Sequence, residues 1–292
     1  MKKYLFGLAP LMAVAMFALA PSAALAEEHH PTGNFAPFKD CPLANPVVTS
    51  CTFAETLSGE FTVGKRTVPI NKPIILQGGL HENAKEELEF FAAEDGNTLS
   101  KTPLYVPGGL FNIVAPEYLN KEQKEAFEKV VNEGITGVTA TVELAQPASA
   151  IKLNLENLLF QRGTALQLPV KVKLGNVFLG SSCYIGSEAH PIIQNLTTGT
   201  TSPPEPNKPI KGSTGKVEIL EGGTLSRLIG GSLVDNAWAS PGASGCGGKA
   251  LEGIIDPAVN AELGLPSAAG HNTAILNGNL ELASAAAVKA SE

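Results

Sequence analysis

Short apolar runs cut apart by turn residues constrain this chain more than any other feature. In Pro169-Val170-Lys171-Val172-Lys173-Leu174, apolar and charged side chains alternate. Alternation of that kind puts one set on the buried face of a strand and the other in water. Further strand-like runs are Glu60 to Val68, Pro73 to Gln77, Leu88 to Ala92, Thr98 to Val106, Ile135 to Leu144 and Ile151 to Leu155. They continue with Leu166 to Leu174, Val177 to Ile185, Ile192 to Thr197, Lys216 to Leu220, Thr224 to Ile229 and Thr273 to Leu282. The chain's 30 Gly and 21 Pro supply the turns between them. Asp95-Gly96 predicts a hairpin between the runs on either side, and Gly222-Gly223 predicts another. Asn120 to Glu133 predicts a helix. Asn120 and Gln123 fit a capping box, Leu119, Ala126, Phe127, Val130 and Val131 form an apolar stripe, and Gly134 can end it. Lys249 to Leu263 predicts a weaker helix broken by Pro257, and Lys85 to Ala93 fits a helix as well as a strand. The expected fold is mainly β, with antiparallel sandwich- or barrel-like modules and about one short helix per half.

An internal repeat underlies the word "half". Leu43-Ala44-Asn45, Ser50-Cys51, Asn71-Lys72-Pro73-Ile74 and Gly78-Gly79 reappear in order as Leu174-Gly175-Asn176, Ser182-Cys183, Asn207-Lys208-Pro209-Ile210 and Gly222-Gly223. Thr98-Leu99-Ser100-Lys101 then matches Thr224-Leu225-Ser226-Arg227, and Val142-Glu143-Leu144-Ala145 matches Leu280-Glu281-Leu282-Ala283. Matches in the same order imply duplication. The expected modules are residues 27–147 and 148–292, joined near Gln146-Pro147-Ala148-Ser149.

Residues 1–26 read as a secretory signal peptide: Lys2 and Lys3, an apolar run from Leu5 to Ala20, and a small-x-small site at Ala24-Leu25-Ala26. No later stretch reaches the ~18 apolar residues of a spanning helix, so the expected mature protein is secreted and has no membrane span. The four cysteines, Cys41, Cys51, Cys183 and Cys246, all follow the leader. An even number outside the cytosol reads as two disulfides, whereas zinc finds no C-x-x-C pair and no His at ligand spacing. Cys51 and Cys183 occupy matching places in the repeat, so each is expected to pair within its own half. That predicts Cys41–Cys51 and Cys183–Cys246.

Chemistry is sparse. A net charge of −7 without a Lys/Arg cluster excludes a phosphate-backbone binder. The familiar nucleophile, nucleotide and metalloprotease motifs are absent, and no catalytic, cofactor or metal residue is assigned. Ser213-Thr214-Gly215-Lys216 fits S-x-x-K but lies between glycines and reads as a turn. His29 and His30 sit near the expected new N-terminus, where a metal ion would be adventitious, and His190 and His271 read as loop residues. Ser244, His271 and Asp235 or Asp256 could compose a triad, although sequence offers no spacing rule for one. Asn195-Leu196-Thr197 is a sequon, meaningful only in a eukaryotic secretory pathway. Asp235, Asn236 and Trp238 form the candidate ligand loop, because the chain's one tryptophan lies there on a Gly-rich segment ending at Cys246. The alternative is that Trp238 fills the core.

Several runs in the second half carry a resemblance. They are Ser181-Ser182-Cys183-Tyr184-Ile185-Gly186, His190-Pro191-Ile192, Asn195-Leu196-Thr197-Thr198-Gly199-Thr200, Ser232-Leu233-Val234-Asp235-Asn236, Pro241-Gly242-Ala243-Ser244-Gly245-Cys246 and Leu265-Pro266-Ser267 through His271-Asn272. In these the chain resembles uncharacterised secreted proteins of actinobacteria. The resemblance implies export from a bacterium and brings no functional residues with it. Two functions stay open: a non-catalytic module binding an envelope or extracellular ligand, and a secreted hydrolase using second-half loops.

Overall fold

The computed structural model describes residues 30–292; the leader assigned to residues 1–26, and His29, lie outside them. The strands of the first half are β1 (Ser50–Val63), β2 (Arg66–Pro69), β3 (Ile74–Glu82), β4 (Leu88–Ala92), β5 (Pro103–Val106) and β6 (Val138–Leu144). The second half supplies β7 (Lys152–Leu153), β8 (Leu166–Gly175), β9 (Tyr184–Ile185) and β10 (Ile192–Leu196). It continues with β11 (Lys216–Leu220), β12 (Leu225–Asp235), β13 (Ala243–Ser244) and β14 (Thr273–Ser284). Helices are α1 (Lys121–Glu133), α2 (Leu155–Phe160), α3 (Gly248–Leu263) and α4 (Ala285–Ala290).

Among the described residues these 14 strands make one antiparallel sheet, ordered β11-β12-β14-β1-β3-β4-β7-β8-β6-β5, with β2, β9, β10 and β13 branching from it. The long β1 pairs along its whole length with β14, while its other edge is shared between β3 and β2. A register shift between Thr56 and Ser58 bends it there. The backbones come so close beside the bulge that a Cβ on Gly278 would lie 1.8 Å from the Glu55 carbonyl oxygen. Only glycine fits at such a crossing.

Strand β2, a branch from β1, also packs against β5, which lies at the end of the path. The largest core cluster joins Val68, Leu80, Phe90 and Leu104 from the first half with Leu168, Val170, Ile192, Leu196 and Trp238 from the second. Each such side chain contributes about 1.5–3 kcal/mol by leaving water. A second cluster joins Phe35, Phe38, Val48, Leu225 and Val288 around Cys41 and Cys51.

Both disulfides form as expected, Cys41–Cys51 and Cys183–Cys246. The capping box is present too. The Asn120 side chain accepts from the Gln123 N–H at 2.9 Å and Gln123 Oε1 accepts from the Asn120 N–H at 3.1 Å. Of the expected α1 stripe, however, Val131 is buried while Val130 is exposed.

Other expectations need correction. The run Val177 to Ile185 is a strand only at Tyr184–Ile185. Asn176 Oδ1 accepts from the Phe178 N–H at 2.8 Å, and that local turn replaces the ladder. No hairpin joins β4 to β5, because both edges of β4 are taken by β3 and β7 while β5 pairs with β6. Lys85 to Ala93 holds a strand, not a helix. Pro257 does not break α3, which runs unbroken from Gly248 to Leu263. The carbonyl it deprives belongs to Gly253, which is exposed and meets water instead.

Candidate functional site: an apolar cleft beside helix α3

Three segments that carry little regular structure of their own converge with α3 to form a cleft. The first is the loop after β5. Gly108 and Gly109 there have φ of +80° and +57°, Asn112 follows at +52°, and the Leu110 N–H donates to the Thr136 carbonyl at 2.8 Å. A Cβ on Gly109 would stand 2.4 Å from that same Thr136 oxygen, so the close approach demands glycine. The second is the turn after β8. Besides capping Phe178, Asn176 donates through Nδ2 to the carbonyls of Ile135 and Gly137, at 3.0 and 2.7 Å. One side chain thereby ties the Val177-Phe178 turn to the chain entering β6. The third is the Cys246 loop, joined to the same turn by the Cys183 disulfide and by the Gly247 N–H to the Leu179 carbonyl at 2.8 Å.

Helix α3 is held by polar groups on successive turns. Asp256 accepts from the N–H groups of Gly245 and Cys246, at 3.1 and 2.7 Å. Asn260 accepts from the Ala243 N–H at 2.6 Å and donates to the Ala243 carbonyl at 3.0 Å. Its far end receives the Lys65 N–H on the Leu263 carbonyl at 2.9 Å. So clamped, the helix turns Ile255, Val259 and Leu263 towards the core while Leu251 and Ile254 stay exposed.

The cleft between these parts has a volume of about 370 Å³. Its walls are Val106, Leu110, Val138, Leu174, Leu179, Ile255, Ala258, Val259 and Leu263, with Phe111 and Phe178 at the edge; Arg66 and Glu262 are the charged groups lining it. The Arg66 side chain is only 10% exposed and forms an ion pair with Glu262, which is 50% exposed. Its other partner is Asn112 Oδ1. The guanidinium thus spans from α3's last turn to the first loop at one end of an otherwise apolar wall.

At its edge stand two exposed aromatic rings, Phe111 at 68% and Phe178 at 56%. Scattered exposed apolar residues are ordinary, but exposed rings at the edge of an apolar concavity mark an interaction site. A second, smaller groove of about 80 Å³ lies between Leu158 of α2 and strands β1, β12 and β14. In its lining the hydroxyls of Thr198 and Thr214 both donate to the Leu158 carbonyl at 2.8 Å.

The residues singled out in the sequence lie elsewhere. Asp235, Asn236 and Trp238 are all buried. Asp235 accepts from the N–H groups of Asn195 and Ala237 at 2.6 and 2.9 Å. Burial raises its pKa, opposed by those two bonds. Asn236 Nδ2 donates to the Lys208 carbonyl at 2.8 Å. The Trp238 ring faces the interior beside Gln194, where its Nε1 and Gln194 Oε1 have no hydrogen-bond partner. Neither a triad nor a Ser–Lys pair assembles among the hydrogen bonds. Ser244 pairs with Tyr184 in the sheet, Asp235 and Asp256 engage backbone N–H groups, and His271 is exposed. The Ser213 hydroxyl accepts from the Gly215 N–H at 3.1 Å while Lys216 pairs with Glu218. Asn195 is exposed on β10 and accepts from Gln167 at 2.9 Å. No group of three or more His, Cys, Asp or Glu suited to a metal ion occurs among the described residues, nor any helix long and apolar enough to cross a membrane.

The cleft itself escaped the sequence reading. Apolar side chains in a sequence are taken as core, and nothing local tells that Phe111 and Phe178 remain outside. One signal was available, the Gly108-Gly109 pair, which marks a turn needing left-handed backbone. No protein-family model, curated protein or solved structure matches the chain.

Proposed function

We propose that this protein is an exported binding protein, without catalytic chemistry of its own, that houses the apolar chain of an amphipathic ligand from the cell envelope or extracellular space. The cleft carries the reading: a concavity of about 370 Å³ with apolar walls, with exposed Phe111 and Phe178 at its edge. Covering apolar surface gains about 25 cal/mol per Å², and pockets of this size and lining suit small apolar ligands. The leader and the two disulfides support export, since such bonds persist in oxidising compartments. The engagement of Asp235 and Asp256 by backbone N–H groups favours binding over hydrolysis.

Duplication remains part of the proposal. Strand β6 follows α1 and pairs with β5 and β8; strand β14 follows α3 and pairs with β12 and β1. Each half therefore closes with a helix and a strand that joins its own half to the start of the other. The cysteine positions do not follow this parallel: Cys51 lies within β1, whereas Cys183 lies beyond β8.

The test uses the uncharged fluorophore N-phenyl-1-naphthylamine, which brightens in apolar surroundings. The purified protein should bind it saturably. Replacing Phe111→Ser and Phe178→Ser together should weaken binding several-fold and leave Tm unchanged, because both rings are exposed. An absence of saturable brightening refutes the reading.

A further inference from the structure

We infer that the head group of the cleft's ligand is a carboxylate held by Arg66, which makes the ligand class a long-chain carboxylic acid. The inference rests on the cleft being a chain-binding site, and adds the chemistry of its polar end. The Arg66 side chain is nine-tenths buried and lines the cleft. A guanidinium presents five N–H donors and no acceptor, and Asn112 and Glu262 engage two of its nitrogens. Its other three N–H groups have no hydrogen-bond partner among the described residues, on a side chain that lines the cleft. Open donors on a fixed cation call for an acceptor-only, negatively charged partner, and a carboxylate meets the planar fork with two parallel bonds.

Glu262 holds the place of that carboxylate. Its side chain is half exposed on the last turn of α3, so it can rotate into water with little further change in solvation when a ligand's carboxylate displaces it. The apolar tail then runs along Leu110, Val259 and Leu263 towards Phe111 and Phe178. An alcohol of the same chain length satisfies one donor and brings no charge, so it competes poorly with Glu262.

Displacement of N-phenyl-1-naphthylamine by oleate and by oleyl alcohol, both below their aggregation concentrations, tests the assignment. The wild-type protein should bind oleate about tenfold more tightly than the alcohol. Glu262→Gln removes the competing charge from an exposed position; it should tighten oleate several-fold and leave the alcohol unchanged. Arg66→Met should bring oleate down to the level of the alcohol, with Arg66→Lys between. Equal affinities for the two ligands in both the wild type and the Glu262→Gln protein overturn the carboxylate assignment and leave the chain cleft standing. If neither ligand displaces the fluorophore, the cleft reading itself falls.

Discussion

Replacing Asn272 with alanine should cost this fold a large part of its stability. The side chain is fully buried and makes three hydrogen bonds. Its Oδ1 accepts from the Gly64 N–H at 2.9 Å, and its Nδ2 donates to the carbonyls of Trp238 and Ala268 at 2.9 and 3.1 Å. One amide thereby ties the turn between β1 and β2 to the segment that carries Trp238. Alanine leaves the Gly64 N–H and the Trp238 carbonyl without partners, while the exposed Ala268 turns its carbonyl to water. A buried unpaired group such as the Trp238 carbonyl costs about 1–3 kcal/mol and the half-buried Gly64 N–H less, so the two together cost about 2–4 kcal/mol, against a total stability of about 5–15 kcal/mol for an ordinary domain. Asn272→Asp is the informative control. It keeps the acceptor for Gly64, loses both donors and buries a charge, so it should be at least as damaging at neutral pH. Part of the loss should return in acid, where the protonated carboxyl donates one bond again. Urea unfolding followed by Trp238 fluorescence and by circular dichroism measures both variants. A cost for Asn272→Ala within about 0.5 kcal/mol, the range of ordinary surface changes, refutes the network argument.

Three further outcomes follow from the geometry. Replacing Cys183 and Cys246 with serine frees a separation of 63 residues and should lower stability by about 4 kcal/mol, against about 3 kcal/mol for Cys41 and Cys51 with their separation of 10, measured by denaturant unfolding. Gly109→Ala sets a Cβ on a left-handed backbone and against the Thr136 carbonyl; it should displace the Phe111 loop and weaken fluorophore binding more than it lowers Tm. Asp235 has a raised pKa in the folded protein because it is desolvated, so the folded state holds its proton at a pH where the unfolded chain has lost it. Its contribution to stability is therefore fully present below the ordinary aspartate range and is lost as pH rises through the raised value. Unfolding profiles of the wild type and Asp235→Asn should differ in that acid window, and identical pH dependence would contradict the shift.

What the sequence revealed of the fold follows from which forces act locally. The α1 cap needs only Asn120, Gln123 and the backbone between them, so it was legible. So was β8, where the alternation from Pro169 to Leu174 encodes a buried face directly, and the β11–β12 pairing around Gly222-Gly223. Pairing between distant strands was not. The Asp95-Gly96 turn exists, with the Gly96 N–H on the Ala93 carbonyl at 3.0 Å, yet β4 spends its edges on β3 and β7. A turn residue specifies a bend; it does not specify which strand will occupy the edge beyond it. Val177 to Leu179 failed for the opposite reason, because one side-chain bond from Asn176 outweighed β propensity at three residues.

The site lies further from local control than the fold does. Asp235, Asn236 and Trp238 attracted notice as polar and aromatic groups on a loop, yet their polar atoms serve mainly to anchor that loop to Asn195, Lys208 and Asn272. Arg66, by contrast, stood unremarked inside a strand. It gains significance only because the Gly64-Lys65 turn docks on the end of α3 and because Asn112 adopts a left-handed backbone. Neither condition can be read at position 66. The rim obeys the same logic: Phe111 and Phe178 lie far apart in sequence, and the Leu110 bond to Thr136 together with the Asn176 bonds to Ile135 and Gly137 brings their loops to one mouth. An apolar residue is core or binding surface according to whether something else in the fold covers it. Nothing in the described chain covers Phe111 or Phe178 at the edge of the cleft, and the buried guanidinium in the same lining supplies the polarity that decides what can.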